Sequence, residues 1–159
     1  MLQDYNTAVK WYTLAAEQGT ADAQYNLGVM YHNGRGVLED DKTAMKWYTL
    51  AAEQGNAKAQ NTVGNKYYWG KGIEKNYQLA IKYYILSADQ GNDGAQKSLG
   101  YMYAKGKGVV KDEQEALRWY LLSAEQGNAS AQNTVGNNYY SGKGTVKDYN
   151  EALRWYKLS

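Results

Sequence analysis

The chain has 159 residues, 18 of them basic and 16 acidic, a formal charge of +2 and no cysteine. That charge is far too small to argue for a phosphate backbone or an anionic bilayer as partner, and the missing cysteine excludes disulfides, thiolate nucleophiles and thiolate metal sites. No charged leader precedes an apolar run, and no stretch of about 18 apolar residues stands together, so the expectation is a soluble, cytoplasmic protein with no membrane partner, no nucleic-acid partner and no cofactor.

Residues 2 to 18 read as one amphipathic helix. Asp4 is its expected N-cap, and Ala8, Trp11, Tyr12, Ala15 and Ala16 fall on one apolar stripe. Gly19 supplies a helix-closing residue, and Thr20 is the expected cap of the next helix, which runs to about Asn33. That helix and its counterparts starting at Ala57, Asp93 and Ala129 each carry alanine, an aliphatic residue and tyrosine four apart, for example Ala59, Val63 and Tyr67. A glycine follows the aliphatic residue each time, at Gly28, Gly64, Gly100 and Gly136. Mid-helix glycine costs about 0.5 to 1 kcal/mol against alanine, so its return implies two helices touching backbone to backbone.

A Gly-basic-Gly loop comes next, as in Gly34-Arg35-Gly36 and Gly142-Lys143-Gly144, and Asp40, Asn76, Asp112 or Asp148 then opens a second helix. Glu115 and Glu151 stand where a capping box would place them. The second helices carry Trp11-Tyr12, Trp47-Tyr48, Tyr83-Tyr84, Trp119-Tyr120 and Trp155-Tyr156, each pair 36 residues after the last. A fixed period of this size marks an all-α solenoid built from one stacked supersecondary unit. The expected divisions are the second helix of a partial repeat at 2–19, complete repeats at 20–55, 56–91 and 92–127, and a truncated repeat at 128–159. Neither end carries a polar capping repeat, which points to a piece of a longer array or to self-association through the uncapped ends.

The unit, best seen from Ala131 to Gly144 joined to Asp148 to Tyr156, resembles the Sel-one-like repeats, relatives of the tetratricopeptide repeat. The resemblance covers essentially the whole chain. It implies a right-handed α/α superhelix of antiparallel helix pairs, with first helices lining a concave surface, and the role of an adaptor or scaffold for protein partners. Cysteine-rich, secreted bacterial members are linked to penicillin binding or weak β-lactam hydrolysis, and this chain departs from them in having no cysteine.

No set of residues here reads as a catalytic or metal site. The Gly-basic-Gly loops follow helices and not strands, so they read as caps and turns. His32 is the one histidine, and the carboxylates sit mostly at helix caps and ends, which leaves no nucleophile, base and orienter set and no zinc ligand group. The expectation is a protein that is not an enzyme.

The positions that vary while the frame stays constant are the informative ones. On the outward face of the first helices stand Lys58, Asn61, Asn65, Tyr68, Trp69, Lys97, Tyr101, Asn133, Asn137 and Tyr140. The asparagine pairs can each offer a donor and an acceptor to the backbone of an extended peptide, the aromatics offer stacking surfaces, and the lysines can meet a carboxylate. Trp69 stands out because no other repeat has an aromatic residue there. The function expected is recognition of a peptide or protein partner along this face. The alternatives are a ligand-binding or hydrolase-like protein, a base-by-base nucleic-acid reader, which the near-zero charge disfavours, and a purely structural spacer.

Overall fold

The structure, a computed structural model, describes residues 4–159. Among the described residues it is all α, with nine helices and no strand: α1 (Tyr5–Glu17), α2 (Ala21–Asn33), α3 (Asp41–Glu53), α4 (Ala57–Trp69), α5 (Tyr77–Ala88), α6 (Asp93–Lys105), α7 (Glu113–Glu125), α8 (Ala129–Ser141) and α9 (Tyr149–Tyr156). Of the range 2–18 expected for the first helix, residues 2 and 3 lie outside the described residues. The chain divides into two compact units, Met1–Leu86 and Ser87–Ser159.

In the first unit α1 to α4 pack in sequence, each helix against the next. Ala16, Ala23 and Leu27 form one buried cluster, with Val9, Tyr12, Tyr31 and Trp47 closed over it. A second cluster holds Ala44, Met45, Tyr48, Ala51, Ala52, Ala59 and Val63. Four of its seven members are alanines, and small side chains at the contact let the helix axes approach. In the second unit α6 to α9 pack in the same way, around Ala116, Leu117, Tyr120, Ala124, Ala131, Val135 and Trp155. The tryptophans do not all share one environment: Trp119 and Trp155 are buried, Trp47 is half-buried and Trp11 is exposed.

The mid-helix glycines correct one expectation. A Cβ on Gly64 would stand 2.7 Å from two ring carbons of Tyr84, nearer than the 3.3 Å to the Ala80 carbonyl oxygen, and one on Gly100 would meet Tyr120 in the same way. The glycine is therefore a seat for the tyrosine ring of the following second helix, more than a point of backbone contact. The ring needs the space that a methyl group would fill.

The capping box is a second correction. The carboxylates of Asp40, Asp112 and Asp148 each accept two backbone N–H bonds in the first turn. The N–H of each cap residue, however, donates to a tyrosine carbonyl at the end of the preceding first helix, Asp112 to Tyr103 at 3.0 Å and Asp148 to Tyr139 at 3.0 Å. That donor is already satisfied, so Glu115 turns to the Arg118 guanidinium at 2.7 Å instead. Thr20 makes no side-chain cap bond, whereas Asn56, Asn92 and Asn128 each cap the first helix that follows them.

Buried glutamines tie one helix pair to the next. In the first unit Gln24 donates to the Ala16 carbonyl at 3.1 Å, and its own side-chain oxygen accepts from Gln54 at 2.6 Å. In the second, Gln96 donates to the Ala88 carbonyl at 3.2 Å and accepts from Gln126 at 2.7 Å. A buried amide is tolerated only when its donors and acceptors find partners, and here the neighbouring pair supplies them.

Candidate functional site

In the first unit the outward face of α4 is set by what α4 buries. Ala59 and Val63 are fully buried, and helical spacing then turns Lys58, Asn61 and Asn65 away from that core. Lys58 is exposed, while Asn61 and Asn65 are half-buried. The Asn65 Oδ1 accepts a hydrogen bond from the Tyr84 hydroxyl at 2.8 Å. The Asn61 Oδ1 is buried without a hydrogen-bond partner. At the end of the helix Trp69 is 63% exposed. Tyr68 is buried, edge-on to Trp69 with centroids 4.7 Å apart and 5.4 Å from the Tyr77 ring. Its ring thus supports the exposed indole and presents little surface of its own, because the start of α5 covers it.

In the second unit α8 exposes Asn133, Asn137 and Tyr140. The Tyr156 hydroxyl donates to the Asn137 Oδ1 at 2.9 Å, and the Asn137 side-chain N–H donates to the Asn133 Oδ1 at 3.1 Å. Tyr140 and Tyr149, 59% and 62% exposed, meet edge to face with centroids 5.3 Å apart. On α6, Lys97 is half-buried and Tyr101 is exposed, with the Lys107 ammonium 5.5 Å from the Tyr101 ring centroid. The Asn65 and Asn137 oxygens each accept from a tyrosine hydroxyl of the following second helix, so these two asparagines are tied to the frame as well as facing outward.

A polar cluster in the first unit escaped sequence reasoning. The Lys66 ammonium lies 2.6 Å from the Asp41 Oδ1, and the His32 Nδ1 lies 2.6 Å from the same oxygen. The Lys66 side chain is 7% exposed and Asp41 35%. The hydrogen bond from Lys66 holds the Asp41 carboxyl below its ordinary range, against the effect of burial, with a smaller contribution from His32. The signal was present in the sequence, since Lys66 stands where neighbouring repeats have Met30 and Met102. Elsewhere, burial pushes the phenols of Tyr48 and Tyr120 well above the usual tyrosine range. Among the described residues no group of three or more histidines, aspartates and glutamates comes together as a metal cage. No helix among them is long and apolar enough to cross a membrane.

Comparisons with known proteins agree with the all-α repeat fold. A Sel1 repeat model matches residues 1–20, 21–56, 57–92, 94–128 and 129–159. The chain is similar to the crystal structure of c5321, a protective antigen of uropathogenic Escherichia coli displaying an SLR fold, at 41% identity and a TM-score of 0.95 over 99% of this chain and 34% of that one. It is similar also to a Sel1 repeat protein from Oxalobacter formigenes, at 40% identity and a TM-score of 0.92 over 96% of this chain and 63% of that one. It therefore spans about a third of the first and under two thirds of the second. The Helicobacter pylori cysteine rich protein B shares the fold at 22% identity and a TM-score of 0.64, with 81% of this chain and 92% of that one covered. A search of curated proteins returns no match.

Proposed function

Because the chain belongs to the Sel1 repeat family, we propose that it is a protein-interaction module of the cytoplasm, an adaptor or scaffold whose first helices receive a peptide segment of a partner. The observation that carries this reading is the pairing, on α4, of an indole 63% exposed to solvent with outward asparagines on the same helix. An exposed tryptophan beside groups that can hydrogen-bond is the composition of an interface hot spot. The exposed Tyr140 and Tyr149 pair beside Asn133 and Asn137 repeats that composition on α8 and α9 of the second unit.

The test is selection of binders from a random peptide library against the intact chain, followed by titration of the selected peptides. Trp69→Ala is expected to lower their affinity about tenfold or more with unchanged helical circular dichroism, since hot-spot residues contribute about 2 kcal/mol or more. Peptides whose affinity ignores Trp69, Tyr140 and the outward asparagines alike would sink the reading. So would a library that yields no binder.

A further inference from the structure

The asparagine face is directional. In the second unit the Tyr156 hydroxyl donates to the Asn137 Oδ1, and Asn137 donates in turn to the Asn133 Oδ1. Because the Tyr156 hydroxyl donates to the Asn137 oxygen, that oxygen is turned inward and the amide nitrogen away from the ring. Each oxygen in this relay is engaged. What remains on the outside is one N–H of Asn137 and both N–H groups of Asn133, since an amide nitrogen carries two donors. In the first unit the Tyr84 hydroxyl likewise holds the Asn65 Oδ1, whereas the Asn61 Oδ1 is buried without a partner, so only the first step of the relay recurs there.

Charge follows the same direction. α8 carries no charged residue, and α4 carries Lys58 with no acid, its Lys66 being buried against Asp41. α6 carries Lys97 and Lys105 against Asp93, whose carboxylate already accepts from the Asn128 side chain at 2.7 Å. The acidic side chains of the second unit's other helices belong to α7 and α9, where Glu113 is paired to Lys111, Glu115 to Arg118 and Glu151 to Arg154, and Glu125 stands at the C-terminal end of α7. A face whose outward amides present N–H donors beside the Lys97 ammonium, with the amide oxygens turned inward, is matched by a ligand that supplies acceptors and negative charge.

We infer that the α6 and α8 face of the second unit recognises an acidic peptide segment, whose aspartate or glutamate carboxylates accept from Asn133 and Asn137 and pair with Lys97. This rests on the peptide-binding reading above and adds the chemistry of the partner. Tyr156 acts as a positioning residue: it touches no ligand and fixes which end of the Asn137 amide faces out.

The experiment titrates the intact chain with three end-blocked eight-residue peptides, one of alternating aspartate and serine, one of asparagine and serine, and one of lysine and serine. The side-chain amide resonances of Asn133 and Asn137 are the readout. The acidic peptide is expected to shift both resonances and to bind at least tenfold more tightly than the neutral one, with the basic peptide weakest. Asn137→Asp should remove most of that preference, because it replaces the outward donor by an acceptor while still accepting from Tyr156, so the fold is kept. Lys97→Gln, which leaves the relay intact, should weaken the acidic peptide about threefold. Tyr156→Phe should narrow the acidic-over-neutral ratio by freeing the Asn137 amide to turn over.

Neutral or basic peptides that shift the same resonances with equal or greater affinity would overturn the acidic assignment and leave peptide binding standing. If none of the three shifts them, the acidic assignment falls, and the library selection decides separately whether peptide binding falls with it.

Discussion

Positions 32, 41 and 66 of the first unit and 104, 113 and 138 of the second occupy the same places in the repeat, two repeats apart. In the first unit they are His32, Asp41 and a buried Lys66 whose ammonium sits on the Asp41 carboxylate. In the second they are Ala104, Glu113 and a buried Asn138, and Glu113 turns instead to Lys111 at 2.8 Å. The packing frame is the same in both, with Ala44, Ala52 and Ala59 buried like Ala116, Ala124 and Ala131 and a tyrosine ring on the same glycine. The frame is thus specified by small residues and ring seats, while the buried polar position accepts lysine or asparagine according to what its neighbours supply. A lysine there needs its carboxylate, because a buried charge without a partner is costly.

The largest effect that would sharpen this comparison is expected at the ring seats. Gly64→Ala places a methyl group 2.7 Å from the Tyr84 ring, which is 1% exposed and has nowhere to go. Overpacking of this kind costs about 3 kcal/mol at the high end, and the gain in helix propensity returns about 1, so a net loss of about 2 kcal/mol is expected in urea unfolding. Gly136→Ala meets Tyr156, which is half-buried and can shift, so its loss should be about 1 kcal/mol or less. Equal losses would break the comparison at its strongest point.

Next comes the buried polar position. Lys66→Ala removes the buried alkyl stem and leaves Asp41 and His32 facing each other, and a loss of about 2 kcal/mol is expected, against about 1 for Asn138→Ala. The pH dependence tests the cause. Asp41 has a lowered folded-state pKa, so its contribution is present above the unfolded carboxylate pKa of about 4 and is lost as pH falls through the folded value. The stability gap between wild type and Asp41→Asn should therefore narrow on acidification. A gap that stays constant from neutral to acid pH would show that the carboxylate charge contributes nothing.

The smallest effect concerns the hydroxyls. Tyr84→Phe strands the Asn65 oxygen in a half-buried setting, and about 1 kcal/mol is expected. Tyr156→Phe leaves Asn137 at an exposed position where water replaces the bond, and a change under about 0.5 kcal/mol is expected. A larger loss at Tyr156 than at Tyr84 would reverse the assigned difference between the two units.

The helix pairs were legible in the sequence because their signals are local and recur. Ala59, Val63 and the closing glycines mark the same face and the same end in every copy. The outward positions of Lys58, Asn133, Asn137 and Trp69 followed from helical spacing alone. What escaped were the contacts made by side chains distant in sequence. The Tyr84 hydroxyl reaches Asn65 across 19 positions, Lys66 reaches Asp41 across 25, and no periodicity within a single helix encodes either. The misplacement of Tyr68 has the same origin. A helical wheel places its Cα on the outward side but does not include the start of α5, whose Tyr77 closes over it.

The glutamine ties have a bearing on how such a chain changes over generations. The oxygen of Gln24 is completed by Gln54, and that of Gln96 by Gln126, in both cases 30 positions downstream. A change of length by one whole period brings an equivalent glutamine donor to the position that completes Gln24 or Gln96. A change by any other amount strands a polar group in the interior. Whole-period changes in copy number therefore keep the glutamine ties, while any other change of spacing breaks them.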